Sequence, residues 1–170
     1  MNPPEKIFSS LYPSPLGLIR ISAREHYIQG VNFVNRTEEA QTGASYQEFH
    51  PLLIQCTEQL IQYFQGERRV FDLPLHQEGT DFQKKVWNEL TVIPFGKTIS
   101  YLELSRRLGD TKAIRAAASA NGKNNIAILV PCHRVVGTKN DLVGYAGGLG
   151  RKKWLLEHEA KIAHGVQTLF

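Results

Sequence analysis

Cys132 and His133 stand side by side in the stretch ILVPCHRVVG (128–137), after an apolar run and a proline. That pairing can do nucleophilic chemistry. The thiolate, not the thiol, attacks carbon, and a free thiol of pKa about 8.5 is only a few per cent ionised at neutral pH. A neighbouring imidazole can take the proton, directly or through water. Arg134 can add positive field or pair elsewhere. The imidazole needs a third group to fix its tautomer; Glu159 on the last expected helix is a candidate, whereas His158 beside it reads as helix surface. On residue types alone, a buried structural cysteine beside a surface histidine remains open.

The flanking residues must position this pair. Pro131 disfavours helix at Val130, so IAILV (126–130) reads as a buried strand with Cys132 at its exit. Adjacent strand residues point to opposite faces. For Cys132 and His133 to cooperate, the backbone must bend at the proline or just after it. A one-turn start there would also bring backbone N–H groups toward the sulfur.

The rest of the chain reads as two domains, 1–78 and 79–170. In the first, 7–14, 16–23 and 27–34 are expected strands, 37–51 is polar and loop-like, and Leu53, Cys56, Leu60, Ile61 and Phe64 recur at helical spacing up to Gly66. Cys56 lies on that apolar stripe as core. In the second, Thr80 with Gln83 and Ser100 with Glu103 fit capping boxes, Gly109 closes the second helix, and Thr111 can cap a third, TKAIRAAASAN. The last two resemble a helix-turn-helix, with Arg106, Arg107, Lys112 and Arg115 around the turn; solvated surface charge is the alternative. A loop or irregular hairpin (135–145) and a final helix follow. The fold class is α/β (α+β), a small strand-rich α/β domain followed by a mainly helical, winged-helix-like domain.

Composition sets few limits. At 42% hydrophobic and 21% charged, the 170 residues suit soluble globular domains. The net charge of +4 favours a polyanionic partner only mildly. Two cysteines make no disulfide framework or metal cluster. With neither signal-peptide core nor membrane span evident, the expectation is a cytoplasmic protein with reduced thiols and no membrane partner.

PCHRVVG, then GYAGG, then KKWLLEHE closely resemble the O(6)-alkylguanine-DNA alkyltransferases, also called methylated-DNA–protein-cysteine methyltransferases. TDFQKKVW, IPFGKTISY and NGKNN fall in that family's order, so the resemblance runs from about Thr80 to Ile162. The first 75 residues fit the family's ribonuclease H-like N-terminal domain by length and pattern. The resemblance implies stoichiometric, self-inactivating DNA repair without a cofactor. The partner is double-stranded DNA carrying alkylated bases, bound by a monomer, with cooperativity on DNA left open. Cys132 would accept the alkyl group from guanine O6, or from O(4)-alkylthymine. His133 would deprotonate it through a water, Glu159 would orient His133, and Asn124 would brace the turn before the cysteine. Tyr101 would protonate the departing guanine. Arg115 would fill the stack left by the flipped nucleotide, and the small residues Ala116–Ala120 would let the helix approach the minor groove. Val135 and Tyr145, Ala146 and Gly147 would form the pocket. Ala118 replaces a common glycine, Asn125 a common proline, and Ala127 a larger pocket residue. The alternative is a non-catalytic module that binds alkyl lesions; a cysteine hydrolase built on Cys132, His133 and Glu159 is a third, more distant reading.

Overall fold

The computed structural model describes residues 4–35, 37–38 and 48–165. The chain divides into two compact units, Met1–Gln77 and Glu78–Phe170. Most of the polar stretch 37–51 lies outside the described residues.

The first unit is an antiparallel meander of β1 (Phe8–Ser14), β2 (Gly17–Ala23) and β3 (Ile28–Phe33). Phe8 pairs with Ala23 at one end of the first hairpin and Ser14 with Gly17 at the other. Helix α1 (Pro51–Phe64) packs on β1 and β2. His50 caps it, accepting from the Leu52 N–H, and proline in the first turn costs nothing because that N–H has no helical partner. Ile19, Ile21, Ile28, Leu53, Cys56, Leu60 and Tyr63 are buried, so this core is almost wholly apolar.

The second unit begins with α2 (Asp81–Thr91), where Thr80 and Gln83 form the expected reciprocal capping box. A two-residue strand, β4 (Ile99–Ser100), leads into α3 (Tyr101–Arg107), capped by Ser100. Gly109 adopts φ +86° beyond it, a conformation that glycine tolerates and branched residues do not. Helix α4 (Ile114–Gly122) completes the helix-turn-helix, and α2, α3 and α4 pack together. Thr111 does not cap α4. The helix begins later, with Ala113 at the cap and no side-chain cap bond, because Asp110 accepts from the Lys112 N–H and holds the turn open. The Trp87 indole donates to the Ala120 carbonyl at 2.9 Å and pins the end of α4.

Residues 126–130 are not a strand. The Leu129 N–H donates to Ala127, and the Val130 N–H to Ile126, so the run folds on itself. Ile128 sits at φ +71°, an outlier for a β-branched residue. Asn124 holds the turn: its Oδ1 accepts from the Ile126 N–H, and its Nδ2 donates to the Val130 carbonyl at 2.8 Å. Side-chain amide and local turns satisfy the backbone that a sheet would otherwise serve. After a single 3₁₀ turn over Cys132–Arg134, β5 (Val135–Val136) pairs in parallel with β4. The rest of 135–145 is a loop containing a second 3₁₀ turn, and α5 (Leu149–His164) ends the described chain.

Candidate active site

The bend that the Cys-His pair requires is that one-turn segment. Cys132 opens it at 5% exposure, and His133 follows at 0%. Burial pushes the Cys132 thiol up from its ordinary value. A hydrogen bond with Asn124, the charge of Lys152, and the backbone N–H groups of Cys132 and His133 pull against it. The net effect is a neutral resting thiol already surrounded by groups that favour its anion.

His133 Nε2 lies 2.7 Å from Glu159 Oε2. The carboxylate can only accept, so Nε2 carries the proton and Nδ1 presents its lone pair. Nδ1 is buried and takes no hydrogen bond from the described residues. Burial lowers the His133 pKa despite Glu159, leaving a neutral imidazole able to accept a proton. For Glu159, burial alone would raise the pKa. His133 and Arg134 outweigh it and hold the carboxyl well below the usual range. Arg134 does not reach toward the sulfur. Its Nε and Nη2 grip Glu159 at 2.8 and 3.1 Å, and its Nη1 donates to the Ile93 carbonyl at 2.7 Å. The Gly96 N–H adds a further donor to Glu159 at 3.2 Å.

Tyr101 opens α3 half-buried, and its hydroxyl donates to the Val143 carbonyl at 3.3 Å. Its pKa is raised by burial first, and the nearby Cys132 sulfur adds to this. Tyr145 is held higher still, by burial and then by Cys132. Both phenols therefore stay protonated beside the sulfur. Val135 is buried in β5, Ala146 is exposed and Gly147 half-buried. Arg115 is exposed on α4 and Ala118 is half-buried. Ala117 and Ala120 face inward, so of the small residues only Ala116 and Ser119 are exposed to a ligand on the outer face.

Lys152 went unnoticed in the sequence, where a lysine in RKKW reads as a solvated helix face. It is 0% exposed. Its Nζ donates to Val135 and Val143 carbonyls at 2.7 Å each and to Gly144 at 3.2 Å, tying α5 to β5 and to the loop beneath Tyr101. Burial lowers its pKa to about 8, and a Cys132 anion would pull it back up.

Known proteins resemble this chain along most of its length. The family model described as the 6-O-methylguanine DNA methyltransferase DNA binding domain matches residues 81–161, and that of the ribonuclease-like domain matches 7–77. A methylated-DNA–protein-cysteine methyltransferase of Methanosarcina acetivorans is 41% identical over 90% of this chain and 98% of its own. This chain belongs to the methylated-DNA–protein-cysteine methyltransferases. Like other members of the family it is a transferase. The crystal structure of Mycobacterium tuberculosis O6-methylguanine methyltransferase superposes with TM-score 0.82 at 37% identity, covering 95% of this chain and 97% of that one. A structure of the M. tuberculosis protein OGT in complex with DNA gives TM-score 0.81 at 37% identity, covering 91% and 93%. Among the described residues of this methyltransferase no helix is long and apolar enough to cross a membrane.

Proposed function

We propose that the protein repairs DNA by moving the alkyl group of O(6)-alkylguanine in duplex DNA onto Cys132, once per molecule. The observation that carries this is a buried thiol next in sequence to a buried imidazole whose Nε2 is held by Glu159 and whose Nδ1 is left without a partner. A buried neutral thiol with donors ready for its anion, next to an imidazole whose tautomer Glu159 fixes, is suited to losing its proton only when substrate arrives. His133 Nδ1 takes that proton through a water, and the sulfur attacks the alkyl carbon in line. Holding the two reactants in that line removes most of the entropic barrier. The thioether formed is stable, so the molecule is spent. The same displacement extends to O(4)-alkylthymine.

The target atom lies inside the duplex, so the nucleotide must be turned out of the stack. Helix-turn-helix placement supports α4 as the element laid on the minor groove, with Arg115 exposed to fill the gap and Ala118 limiting the depth of approach. The minor groove's degenerate code suits an enzyme that ignores sequence. Tyr101 protonates the leaving guanine. Asn124 braces the turn before the sulfur, and Val135 with Tyr145, Ala146 and Gly147 forms the pocket.

The test uses duplex DNA carrying O(6)-methylguanine, with intact-protein and peptide mass spectrometry. One methyl is expected on the Cys132 peptide, with no second turnover. Binding without a mass change would favour a non-catalytic lesion binder, and a Cys132→Ser protein that still repaired stoichiometrically would overturn the assignment. Arg115→Ala should slow transfer from duplex DNA more than from the free alkylated base; equal slowing removes its role in the stack.

A further inference from the structure

Asn121 has no part in the reading above, yet it lies between two of its residues. It sits in the last turn of α4 at 3% exposure. Its Nδ2 donates to the Cys132 carbonyl at 3.3 Å and to the Tyr101 hydroxyl oxygen at 3.5 Å. Chemistry fixes the orientation of this amide: the Cys132 carbonyl only accepts, so nitrogen rather than oxygen must face it. The same nitrogen meets Tyr101. There the phenol oxygen is the acceptor, and the phenol's own proton is directed elsewhere.

That proton goes to the Val143 carbonyl, which also accepts from Lys152 at 2.7 Å. When the phenol proton leaves, Val143 keeps a donor. Asn121 Oδ1, meanwhile, is buried with no hydrogen-bond partner. Packing alone does not account for an amide that leaves its own oxygen unmet while its nitrogen serves two acceptors.

We propose that Asn121 is a positioning residue for alkyl transfer, turning the Tyr101 hydroxyl so that its proton is presented to the departing nucleobase. This rests on the function proposed above. The S–C bond forms as the C–O6 bond breaks, and the bonding pair stays on the base. The base takes the Tyr101 proton, and the resulting phenolate accepts a hydrogen bond from Asn121 until solvent reprotonates it. In the resting protein burial raises the Tyr101 pKa, and the Asn121 contact lowers it, the direction that makes a better acid. A 3.5 Å contact is long, and such contacts tighten when substrate fills a site.

The experiment compares the full-length wild type with Asn121→Leu and Asn121→Ala, each with Tyr101 intact and with Tyr101→Phe. Both substitutions should slow single-turnover methyl transfer from duplex DNA by about tenfold when Tyr101 is present, and add nothing when it is absent. Alkylation of Cys132 by iodoacetamide, which needs no acid on the leaving group, should be unchanged. In protein labelled with carbon-13 at tyrosine Cζ, the Tyr101 titration should move to higher pH. Equal slowing in both backgrounds, parallel loss of iodoacetamide reactivity, or an unmoved Tyr101 titration overturns the proposal. Should the wild type transfer no methyl at all, the function proposed above fails, while the Tyr101 titration still decides whether Asn121 governs the phenol. Two variants of different volume keep the result readable if one folds poorly.

Discussion

The two cysteines are nearly matched in exposure, at 0% for Cys56 and 5% for Cys132. Cys56 lies on the apolar face of α1, in line with Leu53, Leu60 and Tyr63, and burial pushes its thiol up to about 12 with nothing opposing. Around Cys132 the same desolvation meets Asn124, Lys152 and two backbone N–H groups. Withdrawal from water therefore does not distinguish the two sulfurs. What distinguishes them is whether the surroundings supply donors and positive charge for the anion. The two units differ in the same way. One buries hydrocarbon, while the other spends much of its interior on His133, Arg134, Lys152 and Glu159.

The sharpest way to break the comparison is to exchange each sulfur for oxygen. Cys132→Ser is expected to abolish methyl transfer, whereas Cys56→Ser should leave its rate unchanged and cost about 1–3 kcal/mol of stability by placing a hydroxyl in an apolar core. Rates by mass spectrometry and unfolding in urea read the two effects separately. A slower Cys56→Ser protein of normal stability would show that the first unit takes part in the chemistry.

Glu159→Gln comes next. It leaves the Arg134 guanidinium, 5% exposed, without its charged partner. Breaking a buried pair from one side costs about 3–5 kcal/mol. Both tryptophans, Trp87 and Trp154, belong to the second unit, so their fluorescence follows that unit's unfolding. The urea midpoint should fall by the corresponding amount; a midpoint within error of wild type would mean that water already serves Arg134.

Acid should act on the same web without any mutation. His133 is held below its ordinary 6.5, so below that pH the unfolded chain takes up a proton that the folded one refuses. Stability therefore falls as pH drops beneath 6.5. Glu159, held below its ordinary 4.5, contributes stability above 4.5 that is lost on further acidification, in the same direction. Urea midpoints by tryptophan fluorescence at pH 7.5, 6 and 5 check the sign. A His133→Asn protein should lose the upper part of that slope.

The parts of this web that the sequence disclosed are those in which residue type implies a role. Cys132, His133 and Glu159 are read from chemistry, and the capping box of α2 from spacing. The strand reading of 126–130 failed for a physical reason. A β-branched apolar run looks the same whether a sheet or Asn124 serves its backbone, and only tertiary packing holds Ile128 at positive φ. The late start of α4 was hidden in the competition between Thr111 and Asp110 for the turn. Arg134 reads in the sequence as a charge without a direction. Lys152 and Asn121 were invisible because a lysine or asparagine on a helix is ordinarily solvated, and nothing local marks the one that turns inward.

Lys152 gives the smallest effect and the most direct reading of the contrast between the sulfurs. Its ammonium is one of the two side-chain sources of stabilisation for the Cys132 anion, and no counterpart acts on Cys56. Lys152→Met keeps the apolar stem and removes the charge, so the Cys132 thiol should titrate higher still. Iodoacetamide alkylation near neutral pH should slow accordingly, by roughly tenfold for each unit by which the thiol pKa rises. Cys56 should remain inert in both proteins. A rate unchanged by Lys152→Met would mean that solvent screens the charge, and that Asn124 and the backbone N–H groups alone set Cys132 apart from Cys56.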